Sequence, residues 1–284
     1  MGSFQFEINN SKWPGFLYAR CMSQWALITG ASQGIGYELA NLFAADGYNL
    51  VLVARDRPRL DSIAAELSSR HGVKVHVLPK DLASSTAARE IFEAVGKEEI
   101  PISVLVNNAG FGAQGAFGSL DWKRHQDLIQ VNITSLVELT YRFLQPMLVR
   151  KEGRIVNLAS TASFVPGPNQ AMYYASKSFV HSFSQALGCE LAGTGVSVTA
   201  IHPGMTNSQF HRRAGMKEPE GWVAMSAAAV ARKGYRALMR RRGLVVTGWQ
   251  NKLLVFGLRL IPVRWAASGA GRVNASRAVG QSRG

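Results

Sequence analysis

The stretch WALITGASQGIG, residues 25–36, joins a short apolar run to a glycine-rich turn. The run WALIT (25–29) predicts a buried strand, and the residues that follow Gly36 have a helical pattern. Glycines at such a turn let the backbone approach a pyrophosphate, and free N–H groups at the helix start attract its charge. Three residues separate Gly30 from Gly34, which differs from the G-x-G-x-x-G spacing. In this strand–turn–helix context the stretch predicts a nucleotide site; the alternative is a merely tight turn.

The rest of the chain repeats this alternation of strand and helix. Further short runs rich in β-branched residues predict strands at 49–54, 74–78, 103–107, 154–159, 196–201 and 244–248. Helical patterns lie between them, at roughly 35–46, 58–70, 84–97, 121–150, 171–192 and 224–241. Continuous apolar strands that alternate with helices are typical of a parallel sheet covered on both faces. The sequence therefore predicts an α/β fold: one domain, 24–248, with a doubly wound seven-stranded parallel sheet.

Length and composition limit the class of protein. The chain has 284 residues, of which 47% are hydrophobic, and this is enough to build a full core. It has no apolar run of the ~18 residues that a membrane-spanning helix needs, and its N-terminus lacks a secretory signal pattern. The two cysteines, Cys21 and Cys189, suit neither a disulfide framework nor a metal site. We therefore expect reduced thiols, no metal and a cytoplasmic location.

Positive charge is concentrated in the last part of the chain. The net charge is +14, yet from Gly221 onward there are twelve Lys and Arg residues and no Asp or Glu. The first 220 residues are therefore nearly neutral, and an anionic partner is expected only for the C-terminal part. We expect no nucleic acid as a partner, because the chain has no recognisable binding module or aromatic platform.

The C-terminal part mixes apolar and basic residues. QNKLLVFGLRLIPVRW (250–265) combines an apolar run with Lys252, Arg259 and Arg264. This composition suits peripheral contact with a membrane whose head groups are anionic. The alternative is a segment that packs over its own domain or a partner subunit. The last stretch, 268–284, is small and polar enough to predict disorder.

The end of the second predicted strand indicates which nicotinamide dinucleotide would bind. An acid near this point selects NAD through the adenosine ribose, but here Arg55 follows Ala54. A guanidinium suits a 2′-phosphate through charge-assisted hydrogen bonds, so NADP(H) is favoured over NAD(H). The alternative is a solvated basic turn. Asp81, after the third strand, offers an acceptor for the adenine amino group, or only a helix cap.

Three further motifs follow the glycine-rich turn in order. The fourth strand leads into NNAG (107–110), the fifth into NLAST (157–161), and a helix begins near MYYASK (172–177). Together with TGASQGIG they resemble the compact branch of the short-chain dehydrogenase/reductase family, over about residues 24–248. The resemblance implies an NADP(H)-dependent oxidoreductase that interconverts a ketone or aldehyde with an alcohol by hydride transfer. It also implies a small-molecule substrate and a homodimer or homotetramer built on the helices near 127–150 and 171–192.

The resemblance assigns a catalytic group of four residues. Lys177 follows Tyr173 by four residues, so both side chains lie on one helical face, while Tyr174 points about 100° away. Ser160 precedes Tyr173 by thirteen residues, the interval that the family leads one to expect. Asn132, in QVNITS, matches the fourth member of the group. The family gives the lysine a bond to the nicotinamide ribose and the asparagine a water chain to solvent.

Tyr173 would exchange the proton. An unperturbed tyrosine has a pKa of about 10, which is poorly suited to acid–base work near neutrality. We expect the Lys177 ammonium and the cationic nicotinamide to lower the pKa of Tyr173. The phenol would then give a proton to the carbonyl oxygen as hydride arrives, while Ser160 holds that oxygen by a hydrogen bond.

The remaining assignments concern the two ligands. The predicted cofactor contacts are Gly30, Ser32, Gln33, Gly34, Ile35, Gly36, Arg55, Asp81, Asn108, Ala109, Gly110, Tyr173, Lys177, Pro203, Gly204 and Thr206. Residues 207–222 are the predicted substrate lid. Apolar residues in loops at the carboxyl ends of strands suggest an apolar substrate, or else ordinary lid packing: Phe111, Phe164, Met205, Phe210, Met216 and Trp222.

Two other functions stay open at this point. A 3-oxoacyl thioester reductase would use the same chemistry on another substrate, and a catalytically weak NADP-binding scaffold or sensor would keep only the fold. The predicted organisation is an N-terminal extension (1–23), the catalytic domain (24–248) and a basic, partly apolar C-terminal tail (249–284). The extension has no family counterpart, and Met22 stands where compact members often start.

Overall fold

A single parallel sheet forms the centre of the molecule. The computed structural model describes residues 24–207, 214–215 and 224–277. Seven parallel strands make up the sheet: β1 (Trp25–Thr29), β2 (Asn49–Ala54), β3 (Val75–Pro79), β4 (Ile102–Asn107), β5 (Gly153–Leu158), β6 (Val196–His202) and β9 (Leu244–Val246). Two short strands, β7 (Thr206–Asn207) and β8 (Met225–Ser226), pair separately. The sheet confirms the predicted doubly wound, single-domain α/β fold.

Helices cover both faces of this sheet. Their bounds are α1 (Gly34–Ala45), α2 (Arg57–His71), α3 (Ala87–Lys97), α4 (Trp122–Ile129), α5 (Ser135–Arg150), α6 (Ala171–Glu190), α7 (Ala227–Met239), α8 (Trp249–Leu258) and α9 (Val263–Arg277). The single helix predicted over 121–150 is interrupted, because a π-helical turn, Gln130–Thr134, separates α4 from α5. Such a turn is frequent at functional sites, and here it contains Asn132.

Alternate residues of each strand enter two separate cores. Leu27 packs with α3 and α5 on one face of the sheet, beside side chains such as Ile91 and Phe143. Its neighbours Ala26 and Ile28 pack with α1, α2 and α7 on the other face. Because both faces are buried, the strands read as continuous apolar runs in the sequence.

The strand order places a crevice at the centre of one sheet edge. The order is β3-β2-β1-β4-β5-β6-β9, so the winding direction reverses between β1 and β4. Loops diverge above the carboxyl ends of these two strands, which is where ligands bind in open α/β sheets. The glycine-rich turn leaves β1 at this point with Gly30 at φ +65° and Gly34 at φ +57°.

The C-terminal part differs from the prediction of disorder. Residues 268–277 belong to α9, a helix of fifteen residues. Ala266 and Asn274 are buried on it, and Gly271 lies against Pro168. Small residues allow this close approach, so tertiary contacts order a segment whose composition predicts a polar coil.

Several predictions fall outside the described residues. These include the N-terminal extension, residues 278–284 of the tail, and Phe210, Met216 and Trp222 of the lid. In the part of the chain that the structure describes, no helix has both the length and the apolar character needed to cross a bilayer.

Candidate active site

A cleft of about 760 Å³ opens at the carboxyl ends of the strands. It is lined by all but one of the predicted cofactor contacts: Gly30, Ser32, Gln33, Gly34, Ile35, Arg55, Asp81, Asn108, Ala109, Gly110, Tyr173, Lys177, Pro203, Gly204 and Thr206. Ser160 of the predicted catalytic group lines it as well. Gly36, the remaining predicted cofactor contact, and Asn132 of the catalytic group do not line the cleft. The fold therefore brings these residues together, while their contact with a cofactor stays a prediction.

The glycine-rich turn and the NNAG motif form one hydrogen-bonded unit. Asn108 Nδ2 donates to the carbonyl oxygens of Thr29 (2.9 Å) and Gly30 (3.1 Å). Thr29 Oγ1 accepts from the backbone N–H groups of Asn108 and Ala109, both at 3.0 Å. A Cβ on Gly36 would lie 2.3 Å from the Gly30 carbonyl oxygen, so Gly36 supports the turn from behind. The two motifs together fix the floor of the cleft.

The turns after β2 and β3 meet at one end of the cleft. Arg55 Nη1 lies 3.9 Å from Asp81 Oδ2, and both side chains are exposed. Asp56 Oδ1 accepts from the Arg59 backbone N–H at 3.0 Å and so caps α2. Asp81 Oδ1 accepts from the Ala83 backbone N–H at 3.0 Å, which is the local capping alternative. Both carboxylates therefore accept a hydrogen bond from the backbone, and the exposed Arg55 side chain is held only by its 3.9 Å pair with Asp81 among the ion pairs of the described residues.

Tyr173, Ser160 and Lys177 stand on the opposite wall. The Tyr173 hydroxyl is hydrogen-bonded to Ser160. Lys177 Nζ lies 5.9 Å from the centre of the Tyr173 ring and donates to the Leu158 carbonyl oxygen at 2.7 Å. Lys177 is only 5% exposed. The two intervals that selected Tyr173 in the sequence, four residues to Lys177 and thirteen from Ser160, therefore bring the three side chains together in the structure.

Burial shifts both ionisable groups toward their neutral forms. Desolvation raises the pKa of Tyr173 to about 12, the Ser160 hydrogen bond works against this rise, and Tyr174 adds to it. Desolvation also lowers the pKa of Lys177 to about 8. The expected lowering of the Tyr173 pKa is therefore not found among the protein's own groups, because desolvation outweighs the one favourable hydrogen bond. Near neutrality the phenol holds its proton, as a proton donor must.

Asn132 lies behind this wall. Its Oδ1 accepts from the Phe111 backbone N–H (3.1 Å), and its Nδ2 donates to the Phe111 carbonyl oxygen (3.0 Å) and to Ser176 Oγ (3.1 Å). A Cβ on Gly110 would lie 3.1 Å from Asn132 Oδ1 and 3.3 Å from Lys177 Nζ. Asn132 therefore ties the loop after β4 to α6 next to Lys177, and its role in a water chain stays a prediction.

The loop after β6 closes the cleft beside Ser160. Ser160 Oγ donates to the Pro203 carbonyl oxygen at 3.4 Å, and Thr206 Oγ1 donates to the Gly204 carbonyl oxygen at 3.1 Å. A Cβ on Gly204 would lie 2.3 Å from Asn251 Nδ2, so α8 packs directly against this loop. The C-terminal helices thus support the site from outside the sheet.

Two histidines pair beneath the site, which the sequence did not indicate. His181 Nδ1 and His202 Nε2 are 3.0 Å apart, and the Phe164 ring packs at a tilt against both, with ring centres 4.9 and 5.0 Å away. Burial, with His181 as a further cause, lowers the pKa of His202 to about 3. Phe164 therefore packs on this pair and does not line the cleft. Residues on separate elements, 21 positions apart, carry no sequence signal for such pairing.

The end of the cleft next to Tyr174 contains residues that sequence reasoning missed. Gln170, Asn274 and Arg277 line it, together with Tyr174, for which only packing was predicted. The Tyr174 hydroxyl donates to Asn274 Oδ1 at 3.2 Å. No signal pointed to Asn274 or Arg277, because both lie in the segment for which disorder was predicted.

Comparison with known proteins identifies the family of the chain. The family model described as short chain dehydrogenase matches residues 24–219. The very-long-chain 3-oxoacyl-CoA reductase of Phaeosphaeria nodorum is 34% identical over 220 residues, which cover 74% of this chain and 64% of that protein. Sulfoacetaldehyde reductase 2 of Chromohalobacter salexigens is 38% identical over 191 residues, 66% of this chain and 75% of that one.

A solved structure of the same family is similar in fold. The short-chain dehydrogenase from Sphingobium yanoikuyae in complex with NADPH has a TM-score of 0.75 and 31% identity, covering 93% of this chain and 98% of that one. The chain belongs to the short-chain dehydrogenase family, which confirms the resemblance drawn from its motifs. It spans 64% of the length of the Phaeosphaeria reductase.

Proposed function

We propose that the protein is an NADP(H)-dependent oxidoreductase that interconverts a ketone or aldehyde with the corresponding alcohol. The observation that carries the proposal is the protonated Tyr173 phenol, hydrogen-bonded to Ser160 in the cleft that also contains the glycine-rich turn. The turn fits a dinucleotide, because glycine leaves the backbone N–H groups at the start of α1 accessible to phosphate. Bound NADPH would supply the hydride for carbonyl reduction.

The residues around Tyr173 would carry out the proton transfer. The phenol donates its proton to the carbonyl oxygen, and the Ser160 hydroxyl, at the same oxygen, stabilises the charge that develops there. Lys177 binds the ribose of the cofactor from its buried position next to Gly110. Asn132 keeps the loop after β4 and helix α6 at a fixed separation around this lysine. The phenolate that remains recovers its proton from solvent before the next turnover.

NADP(H) is the preferred form of the cofactor in this proposal. Arg55 reaches the adenosine end of the cleft, and the nearby Asp56 is occupied in capping α2. Arg59 lies 5.6 Å over the Tyr37 ring, and its Nε donates to the Ser32 carbonyl oxygen at 3.5 Å. A ribose 2′-phosphate at this corner would meet two guanidinium groups and no uncommitted carboxylate on the α2 turn. The NADPH bound to the Sphingobium relative supports the same choice.

Loss of the Tyr173 hydroxyl tests the activity. Purified protein is mixed with NADPH and a panel of ketones and aldehydes, and NADPH oxidation is followed by absorbance. We expect Tyr173→Phe to abolish turnover while NADPH still binds, as measured by its fluorescence. Tyr141→Phe, on the exposed face of α5, is the control and should keep full activity. Unchanged turnover in Tyr173→Phe contradicts the mechanism.

Two alternatives are distinguished by the same assay. A 3-oxoacyl thioester reductase is supported by the similarity to the Phaeosphaeria reductase, and it predicts that a 3-oxoacyl-CoA has a far higher kcat/KM than simple ketones. A catalytically weak scaffold or sensor predicts NADPH binding without turnover of any carbonyl. The Ser160, Tyr173 and Lys177 cluster is evidence against the scaffold, because nucleotide binding alone needs no proton donor hydrogen-bonded to a serine.

We also propose that helices α8 and α9 contact an anionic membrane surface. Their exposed apolar side chains form what we call the C-terminal surface: Trp249, Leu253, Leu254, Phe256, Leu260, Ile261, Val263 and Trp265. Lys252, Arg259 and Arg264 lie among them, and this part of the chain has no acid. Apolar residues rimmed by cations match a bilayer with anionic head groups. The protein would then be cytoplasmic and bind membranes peripherally.

Vesicle flotation tests the C-terminal surface. We expect binding to phosphatidylserine-containing vesicles, little binding to phosphatidylcholine alone, and loss of binding in Leu260→Ser/Trp265→Ser. Trp122→Ser, at the start of α4, is the control for loss of an exposed aromatic residue elsewhere. Equal flotation of all variants contradicts membrane contact. A change in oligomeric state of the double variant, seen by light scattering, means instead that the surface joins two copies.

The proposed assembly is a homodimer or homotetramer built on α5 and α6. Tyr141 on α5 and Phe179 on α6 are exposed large hydrophobic residues. Phe179 stacks on Phe183 with ring centres 5.8 Å apart, so an aromatic strip is presented on α6. Light scattering of the wild-type protein and of Phe179→Ser measures the assembly, and an unchanged mass in the variant contradicts this interface.

A further inference from the structure

Helix α9 reaches the substrate end of the cleft through two residues one turn apart, Asn274 and Arg277. We propose that α9 is a substrate-recognition helix: Asn274 holds it against the loop before α6, and Arg277 binds an anionic group of the carbonyl substrate. This inference rests on the proposed oxidoreductase function and adds to it the chemical class of the substrate.

Asn274 uses its whole amide to fix the helix. It is only 1% exposed. Its Nδ2 donates to the Pro168 carbonyl oxygen at 2.9 Å, and its Oδ1 accepts from Gln170 Nε2 and from the Tyr174 hydroxyl, both at 3.2 Å. Its backbone oxygen accepts from Gln114 Nε2 at 3.0 Å. A buried amide with these partners sets the position of α9 against two loops and α6, because each lost bond would leave a buried polar group unpaired.

Small residues allow the helix to come this close. A Cβ on Gly271 would lie 3.1 Å from the Pro168 side chain, and a Cβ on Gly167 would lie 2.4 Å from the Tyr174 ring. The Tyr174 ring in turn meets the Tyr173 ring edge-on, with centres 6.0 Å apart. The attachment of α9 is therefore packed directly against the proposed proton donor, and a displaced helix would change the substrate wall next to Tyr173.

Arg277 brings a cation to this wall. It is half-buried, and its Nη2 contacts Met205 Sδ at 2.6 Å. A thioether is a weak acceptor, so this contact does not satisfy a guanidinium. Within the described ranges no ion pair involves Arg277, and Asp127, which also lines the cleft, pairs with Lys123. A guanidinium in this position suits bidentate binding of a carboxylate, sulfonate or phosphate.

A second cation also lines the cleft. Arg124 lines it with its guanidinium 4.4 Å over the Phe111 ring and donates from Nη2 to the Gly112 carbonyl oxygen at 3.3 Å. Of the apolar residues that predicted an apolar substrate, only Phe111 and Met205 are described as lining the cleft. Each of the two contacts a cation, Phe111 beneath Arg124 and Met205 beside Arg277, which favours an anionic substituent over a purely apolar ligand.

Matched acids and esters test the inference. The carbonyl substrates are benzoylformate and levulinate, each compared with its methyl ester, so that the carboxylate lies at two distances from the ketone. Wild type, Arg277→Gln, Arg277→Lys and Asn274→Ala are compared, with Arg272→Gln as the control because Arg272 is exposed on the same helix and does not line the cleft. KM and kcat are measured for each compound, and the Kd of NADPH is measured by fluorescence.

Each variant has a distinct expected result. Arg277→Gln should raise KM for at least one acid by roughly ten- to a hundredfold and leave its ester within about twofold, because only the acid loses a charge-assisted pair. Arg277→Lys should recover part of the loss. Asn274→Ala should raise KM for acid and ester alike with an unchanged NADPH Kd. Arg272→Gln should behave as wild type.

Other outcomes overturn the inference. Equal changes for acid and ester in Arg277→Gln, or a weaker NADPH Kd in that variant, would mean that Arg277 does not recognise a substrate anion. An unchanged KM in a folded Asn274→Ala protein would refute the holding role. Failure of the proposed function looks different, since no carbonyl would then be reduced. In that case calorimetric titration of benzoylformate and its ester into the NADP⁺-loaded protein tests Arg277 directly, and equal affinity overturns the proposal.

Discussion

The two ends of the cleft are built from different kinds of contact, although one sheet supports both. At the nucleotide end, two short sequence motifs bond each other, as the Asn108 side-chain amide of NNAG does when it donates to the carbonyl oxygens of Thr29 and Gly30 in the glycine-rich turn. At the substrate end, side chains about a hundred positions apart meet, as Tyr174 and Gln170 do with Asn274. The residues at the nucleotide end belong to motifs of fixed internal spacing, which can be recognised in a sequence, whereas Asn274 at the substrate end belongs to no such motif.

Ser160 stands where the two ends meet, and its removal should have the largest effect. Ser160→Ala removes the hydroxyl that would hold the carbonyl oxygen, so we expect kcat for reduction to fall by roughly a hundred- to a thousandfold. It also removes a hydrogen bond that lowers the pKa of Tyr173, so that pKa should rise. Alcohol oxidation needs the phenolate, so its rate rises with pH as the phenol loses its proton. In the variant this rise should occur at a higher pH than in wild type.

The pH profile of alcohol oxidation from about pH 7 upward measures this shift, because the cationic nicotinamide of bound NADP⁺ would lower the pKa of the phenol toward this range in both proteins. Both proteins carry the same cofactor, so the difference between their pH profiles measures the effect of the Ser160 hydroxyl on the pKa of Tyr173. Ser119→Ala, outside the cleft lining, is the control. A slower enzyme with an unshifted profile would mean that Ser160 acts on the substrate alone and not on the phenol.

Arg55 tests the nucleotide end by itself. Arg55→Ala should raise the KM for NADPH by roughly ten- to a hundredfold, because one charge-assisted hydrogen bond to the 2′-phosphate is lost. The KM for NADH should change little. Arg57→Ala is the matched control, since Arg57 is exposed, pairs with Asp61 at 3.5 Å and does not line the cleft. Steady-state kinetics with both cofactors decide, and equal losses for NADPH and NADH would contradict 2′-phosphate recognition.

The same difference between motif residues and isolated residues explains which parts of the fold and the site could be predicted from the sequence. The strands could be predicted because burial on both faces makes them continuous apolar runs. Tyr173 could be predicted because Lys177 shares its helical face. Neither the π-helical turn around Asn132 nor the order in α9 was predicted, since tertiary contacts produce both. The sign of the Tyr173 pKa shift was missed for a related reason: it depends on how deeply the phenol is desolvated.

Tyr174 gives the smallest expected effect that is confined to one end of the cleft. Its ring packs against Tyr173, the proposed proton donor, while its hydroxyl donates to Asn274 at the substrate end. Tyr174→Phe keeps the ring over Gly167 and removes the hydroxyl that donates to Asn274 Oδ1. Asn274 Oδ1 keeps its bond from Gln170, so one hydrogen bond of about 0.5–1.5 kcal/mol is lost. Substrate KM should rise about two- to tenfold while the Kd of NADPH stays constant. Steady-state kinetics and NADPH fluorescence measure the two constants, and a weaker NADPH Kd would show that the ends of the cleft are coupled.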